Sequence, residues 1–495
     1  MTLNLQQTAI DPVNDPDLEN RAALNAMLAD TQGNILRSHG RNHSHHIFIQ
    51  FEADAEAIKK WLAMMAAQYV TSAQQQMKDS QKFASTGLDA GLFVNLCLSA
   101  IGYEKLGSGV RLPDDPSFMK GAKAAAHKLN DPPPSEWEPG FQADIDALII
   151  VADDDKDHGP DSSLAKILAS LEGVAKVVEQ ETGAAMRLDN TGKVSEDKSA
   201  RVHEHFGFAD GVSQPLFFAT DIEESRINSG GFEQWDPSAP LGLVLAKDPN
   251  GGEAGYGSYF VYRKLEQNVA GFRGDEAKLA RTLFGESPTE EQQKLAAGYI
   301  VGRFRDGTPV GEQAVDGWIN EPNNFNYRHD VDGLKCPFHA HARKANPRGD
   351  KEQQFGVPLA QERTRRIARR AISYGPLILD PPPEEKVGLL FLCAQSDISH
   401  QFEFMQSIWC NFDEFLRPNT GLDTIVGQAP GGEPTVAQKW PKVYGSNNQL
   451  DFSQGSPPPA IVSQHIEYKF SEWVTMRGGE YLFLPSLSFL KAGAS

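Results

Sequence analysis

The sequence holds four cysteines among 495 residues, Cys97, Cys336, Cys393 and Cys410, too few and too scattered for a disulfide framework. Buried free thiols are the expected state. No stretch approaches the ~18–20 consecutive apolar residues of a membrane helix, so no membrane partner is expected. The opening "MTLNLQQTAIDPVNDPDLEN" has neither a basic start nor an apolar core, reads as no secretory signal, and makes the cytoplasm the expected location. Positive charge is short as well: 47 Lys and Arg against 66 Asp and Glu give a formal net charge of −19. That balance speaks against nucleic acid or an anionic surface as partner.

What is present is a long chain, 40% hydrophobic, which predicts two substantial domains or one large duplicated unit. Residues 1–30 read as a polar, partly helical lead-in. "HHIFIQFEA" (His45–Ala53), "LFVNLCLSA" (Leu92–Ala100) and "DIDALIIVADD" (Asp144–Asp154) read as strands. "AEAIKKWLAMMAAQYV" and "SLAKILASLEGVAKVV" have helical period, and a strand leading into "HFGFADG" closes the set. Strand, helix, strand, strand, helix, strand is the order of a ferredoxin-like α+β unit. The second half repeats the rhythm with "GSYFVYRKLEQN", "DEAKLARTLFG", "VGLLFLCAQ", "HQFEFMQSIWCNF" and "GEYLFLPSLSF". The predicted class is therefore α+β, with tandem duplicated ferredoxin-like units at 31–225 and 256–495. A Gly/Pro-rich connection at 226–255 joins them, and a site is expected where the halves meet.

Three stretches carry chemistry. "HFGFADGVSQP" (His205–Pro215) places Asp210 in a Gly-x-x-Asp-Gly turn, either an ordinary β-turn or a turn that aims a carboxylate into a cavity. "CPFHAHARKANPR" (Cys336–Arg348) has C-x-x-H-x-H spacing, but no partner pair completes a zinc site elsewhere. One imidazole on a loop rich in Arg and Lys fits axial haem ligation instead, with cations for the haem propionates. "RRIARRAISYGP" (Arg365–Pro376) reads mostly as a solvated basic face, in which one inward arginine would offset charge on a departing peroxide oxygen. Three other segments carry less. "DDDKDHGPDSSL" (Asp153–Leu164) begins like a calcium loop, but His158 stands where the turn Gly belongs and Leu164 where the bidentate Glu belongs. "HGRNHSHH" reads as a polar turn, and "GGEAGYG" lacks the strand–turn–helix setting of a nucleotide loop.

Taken in order, these stretches resemble the dye-decolorising peroxidases, a haem b family. "QGNILRSHGR", "NLCLSAIGYEKLG", "GSYFVYRKLEQNVAGF", "VGLLFLCAQ" and "GLDTIVGQ" extend the likeness over nearly the whole chain from Thr31, and the length is similar to that of the larger cytoplasmic bacterial subgroup. The resemblance implies one haem b per chain, His341 as proximal iron ligand, and Asp210 with Arg369 as the distal pair, Arg370 being the fallback. It implies Arg348 as a propionate partner, Leu389 and Phe391 as an apolar distal wall, and Asp423 as acceptor for the His341 ring N–H. Tyr374, which "YGP" turns outward, reads either as an electron relay to large substrates or as a core aromatic packing the turn, and Trp409 is the second relay candidate. The sequence departs from the family pattern at Ala371, Ser373 and His339, none with a chemical role.

The implied activity is reduction of hydrogen peroxide through an oxoferryl intermediate, with electrons drawn from organic reductants such as phenols and dyes; a homodimer stays open. Asp210 would take a proton from peroxide and return it to the departing oxygen. An aspartate, ordinarily titrating near ~3.9, stays ionised in acid where a histidine near ~6.5 is protonated, so acidic operation is expected. The alternative is a non-catalytic haem carrier or sensor, which has no need of both a distal carboxylate and a distal arginine. A haem enzyme acting on chlorite or porphyrin carboxylates gives no reason for the Gly-x-x-Asp-Gly turn.

Overall fold

The computed structural model describes residues 3–87, 91–154, 162–189, 192–195, 197, 199–317, 323–432, 436–445, 465–470 and 472–492. Most of the calcium-loop-like segment, residues 155–161, lies outside these. Strands Phe93–Leu98 and Ala147–Asp153 are apolar on both faces and buried along nearly their whole length. Such strands need cover on both sides, and a closed sheet wrapped by helices supplies it. In the first half the strands lie in the spatial order Phe93–Leu98, Ala147–Asp153, His43–Phe51, Ala175–Ala184, all antiparallel. In the second half the order is Ile372–Tyr374, Gly388–Gln395, Tyr256–Gln267, Val474–Leu484, again antiparallel. Both are the 4-1-3-2 arrangement of a ferredoxin-like unit, and the architecture is α+β.

The two four-stranded sheets join edge to edge into one barrel. Each seam is thin: Phe483 pairs with Leu98 at one, and Ser373 and Tyr374 pair with Ala184 and Gly183 at the other. The interior is filled from both halves. Tyr262 packs on Phe48 at 4.8 Å between ring centres, and Lys264 reaches Glu181 at 2.5 Å and Glu138 at 2.6 Å. Parity does the rest. Tyr262 and Lys264 point inward, so Arg263, Leu265 and Gln267 on the same strand point outward, where they line a cavity with Leu389, Phe391, Val474 and Met476.

Two elements differ from the sequence reading. The fourth strand of the first half is Ala175–Ala184, not the segment entering "HFGFADG". The helix Ser163–Ala169 stops early, Gly173 turns the chain at φ 75°, and the β-branched Val177 and Val178 lie in the strand that follows from Ala175. Arg201–His203 instead pairs with Met186–Leu188 in a separate two-stranded sheet. In the second half, Ile372–Tyr374 is a barrel strand within "RRAISYGP", too short to announce itself. The Gly/Pro-rich connection is more than a tether, since Ala239, Leu241, Leu243, Val244 and Leu245 are all buried. The lead-in folds as helix Leu18–Asp30, capped by Asp17. Among the described residues, no helix is long and apolar enough to cross a membrane.

Candidate active site

The loop before His341 is fixed from beneath by a buried ion cage. Arg343 is fully buried, donating to Asp350 at 2.7 Å and Asp330 at 2.9 Å, with its guanidinium between the rings of Tyr327 and Phe338 at 4.6 and 4.2 Å. Asp330 also accepts the backbone N–H groups of Leu334, Lys335 and Cys336. This holds the short helix His341–Ala345 in place. His341 Nδ1 lies 3.1 and 3.0 Å from Oδ1 and Oδ2 of Asp423, and Oδ1 also accepts the Ile425 and Val426 N–H groups. Burial would raise Asp423, but His341 and these backbone donors outweigh it and hold the carboxyl below its ordinary value. With Nδ1 committed to Asp423, Nε2 is left for the cavity that His341 lines. The other groups of the C-x-x-H-x-H stretch go elsewhere. The Cys336 thiol faces the Pro337 carbonyl, and the buried His339 ring sits 4.2 Å from Trp440.

Asp210 and Arg369 line the same cavity. Gly207 and Gly211 flank the Asp210 turn at φ 85° and 73°, and a Cβ at Gly207 would stand 2.9 Å from Arg273. The Asp210 N–H donates to Val202, and its Oδ1 accepts the Gly211 N–H. Arg369 Nη1 stands 3.7 Å from Asp210 Oδ1. Ser213 and Gln214, next in the same turn, fix the arginine by accepting from its Nη2 and its backbone N–H, each at 3.0 Å. Arg370, one residue on, takes the opposite side and donates to the Asn34 and Ile35 carbonyls. Strand parity thus places Arg369, not Arg370, on the cavity.

His341, Asp210 and Arg369 line one cavity of ≈ 280 Å³. Leu389, Phe391, Ile425 and Val426 make much of its wall apolar. Its rim is cationic. Arg348 is buried under Trp235 and Phe325, at 4.7 and 4.0 Å, and donates only to neutral groups: the Asn323 and Phe325 carbonyls, the Asn323 side chain and the Ser213 hydroxyl. Arg366 donates to the Arg363, Pro237 and Ser238 carbonyls. Burial, with neighbouring arginines, pulls both down to about 9. Among the described residues no carboxylate pairs with either, which leaves a pocket edge suited to anions.

The sequence reading overlooked several lining groups. Glu204 is a second carboxyl on the cavity; it accepts the Phe206 and Phe208 N–H groups, and burial pushes it upward. Ser213 and Gln214 of "HFGFADGVSQP" fix Arg369, and Arg366, within the basic run that reads as a solvated face, lines the cavity. Neither relay candidate lines the cavity. Tyr374 does not face outward: as a barrel strand residue it is buried, with the Lys264 ammonium 5.0 Å from its ring centre. Trp409 is buried on the π-helical stretch Met405–Cys410, stacked on Phe415 at 5.5 Å.

Residues 30–187 match the DyP dimeric alpha+beta barrel domain. A multifunctional dye peroxidase, DyP2, of an Amycolatopsis species is 37% identical over 94% of this chain and 96% of its own length. The dye-decolorizing peroxidase msp1 of Mycetinis scorodonius is 30% identical over 94% of this chain and 87% of its own. Among solved structures, a DyP-type peroxidase from Anabaena superposes with a TM-score of 0.85 at 41% identity, covering 99% of this chain and 98% of that one. With full-length likeness to these proteins and the same barrel, the chain belongs to the dye-decolorising peroxidase family.

Proposed function

We propose that this chain is a haem peroxidase that reduces hydrogen peroxide and oxidises phenols and dyes, with one haem b per chain. The observation that carries the reading is that His341, backed by Asp423, and the Asp210–Arg369 pair all line one largely apolar cavity. The residues fit the cofactor. An imidazole backed by a carboxylate suits iron, apolar side chains suit the macrocycle, and Arg348 and Arg366 have among the described residues no carboxylate partner of the kind that two propionates would supply. When bound, haem would supply the iron that takes up peroxide and stores two oxidising equivalents.

On this reading the protein's own groups do the following. Asp423 accepts the His341 N–H and makes the imidazole more electron-rich. Asp210 removes the proton of the near peroxide oxygen and returns it to the far one. Arg369, fixed by Ser213 and Gln214, offsets the negative charge that gathers on the departing oxygen. Leu389 and Phe391 keep water from the reacting atoms. The test is an absorption spectrum of the haem-loaded protein before and after one equivalent of peroxide. A Soret band that shifts promptly supports an enzyme, and an unresponsive band means a carrier.

A further inference from the structure

A cavity that activates peroxide exposes its own wall to the oxidant whenever no reductant is at hand. The readily oxidised side chains among the described wall residues are Trp235, Tyr327, Cys410, Met405 and Met476. Trp235 and Tyr327 lose an electron by way of a cationic ring, and cations already face both. Arg348, Arg363 and Arg366 stand 4.7, 5.8 and 5.9 Å from the Trp235 ring centre, and Arg343 stands 4.6 Å from that of Tyr327. Their charge opposes the loss. The Cys410 thiol reacts with peroxide as the thiolate, and burial, with the Asp423 carboxylate nearby, pushes it well above the ordinary thiol range.

The two thioethers are under no such constraint. Taking up an oxygen atom leaves sulfur without net charge, and a thioether has no proton to lose first. The fold places both on the cavity. Met476 follows Val474 at the strand period of two, so both share the cavity face of Val474–Leu484. Glycine at 479 leaves room for its methyl group, since a Cβ there would stand 2.6 Å from the Met476 Cε. Met405 begins the π-helical stretch Met405–Cys410 and packs against both apolar clusters of the core. Met476 is only 2% exposed, so oxidant reaches its sulfur by way of the cavity rather than from bulk water. Met119, 46% exposed on helix Pro116–Ala125, meets the bulk directly, and Met27 and Met65 are buried without lining the cavity.

We propose that Met405 and Met476 are internal oxygen acceptors, converted to methionine sulfoxide by peroxide activated in the cavity when reductant runs out. The proposal rests on the peroxidase reading above. Each event consumes one hydrogen peroxide. The O–O bond breaks, one oxygen leaves as water with both peroxide protons, and the other forms the S–O bond. Sulfur gives up two electrons and peroxide takes them, so the haem ends in the state in which it began. Oxidant that would otherwise fall on the macrocycle is spent on a sulfur, and methionine sulfoxide is a product that dedicated reductases reverse.

The test treats haem-loaded protein with an excess of heavy-oxygen-labelled hydrogen peroxide and no reductant, then reads each methionine by peptide mass. Labelled sulfoxide at Met405 and Met476 should exceed that in haem-free protein treated alike by about tenfold or more, and an excess of phenol should suppress it. Met119 should be labelled equally with and without haem, and Met27 and Met65 should stay bare. The Met405→Leu/Met476→Leu double variant nearly conserves volume. It should lose its Soret band after about half as many peroxides consumed per haem, or fewer. Bare sulfurs at both positions once the wild-type Soret band has bleached overturn the proposal, as does equal labelling without haem. A Soret band that never responds to peroxide overturns the peroxidase reading and the proposal with it, whereas a responsive band with bare sulfurs overturns the proposal alone.

Discussion

Two histidines separated by one alanine have opposite surroundings: His341 is open to the cavity with Asp423 behind it, and His339 is shut against Trp440. His341→Ala should therefore lose most haem affinity or show a markedly altered haem spectrum, whereas His339→Ala should keep the cofactor with a normal one. The reverse result, read by titrating haem into each variant, would move the ligand by two positions. On the same cavity, Asp210→Asn preserves shape but cannot hold the proton, and Arg369→Leu removes the charge. Each should slow the stopped-flow peroxide reaction by ~10²-fold or more with haem still bound. Near-wild-type rates in both would remove the pair from the mechanism. The sequence named these residues because their motifs are local and contiguous. It preferred Arg369 to Arg370 through the resemblance alone, since the side each takes depends on the fold, and it did not show that Arg366 turns inward, since nothing local distinguishes it from its solvated neighbours.

At the scale of the element, the stretch from Asp330 to Asp350 is shaped less by helix propensity than by one buried guanidinium. Arg343→Met would leave Asp330 and Asp350 buried without their cation. Removing one partner of such a buried pair typically destabilises by about 3–5 kcal/mol, and the loss should appear in denaturant unfolding together with weaker haem binding. A variant of wild-type stability would show that the cage is dispensable. The cage was not legible beforehand: a charged residue inside a basic run reads as solvated unless the distant acids that enclose it are known. The same holds for Ile372–Tyr374, whose three residues give no periodicity. Long apolar strands such as Ala147–Asp153 were plain, because seven residues buried on both faces leave a continuous hydrophobic run.

For the molecule as a whole, buried acids set how stability depends on pH. Glu362 is buried beneath the Gly349 N–H, and burial pushes its carboxyl from 4.5 up to about 7. The native chain keeps that proton where the unfolded chain has released it, so this group weakens the fold as pH climbs from about 4.5 to 7. At ~1.4 kcal/mol for each tenfold change in proton affinity, the whole effect is about 3 kcal/mol. Glu362→Gln should flatten the dependence of Tm on pH across that window and be the more stable protein above it; an unchanged slope would assign the dependence to other groups. Haem loading should raise Tm by mass action, and a haem with esterified propionates should raise it less if Arg348 and Arg366 receive those acids. Equal gains would free the two arginines from that role. The closed barrel has one more consequence, for the order of events during synthesis. Val474–Leu484 is the eighth barrel strand to leave the ribosome, yet it lies between Phe93–Leu98 and Tyr256–Gln267 and touches both halves. Until it arrives, the nascent chain carries open strand edges that invite pairing with other chains. The hazard of mispairing therefore lasts until the final strand has been made.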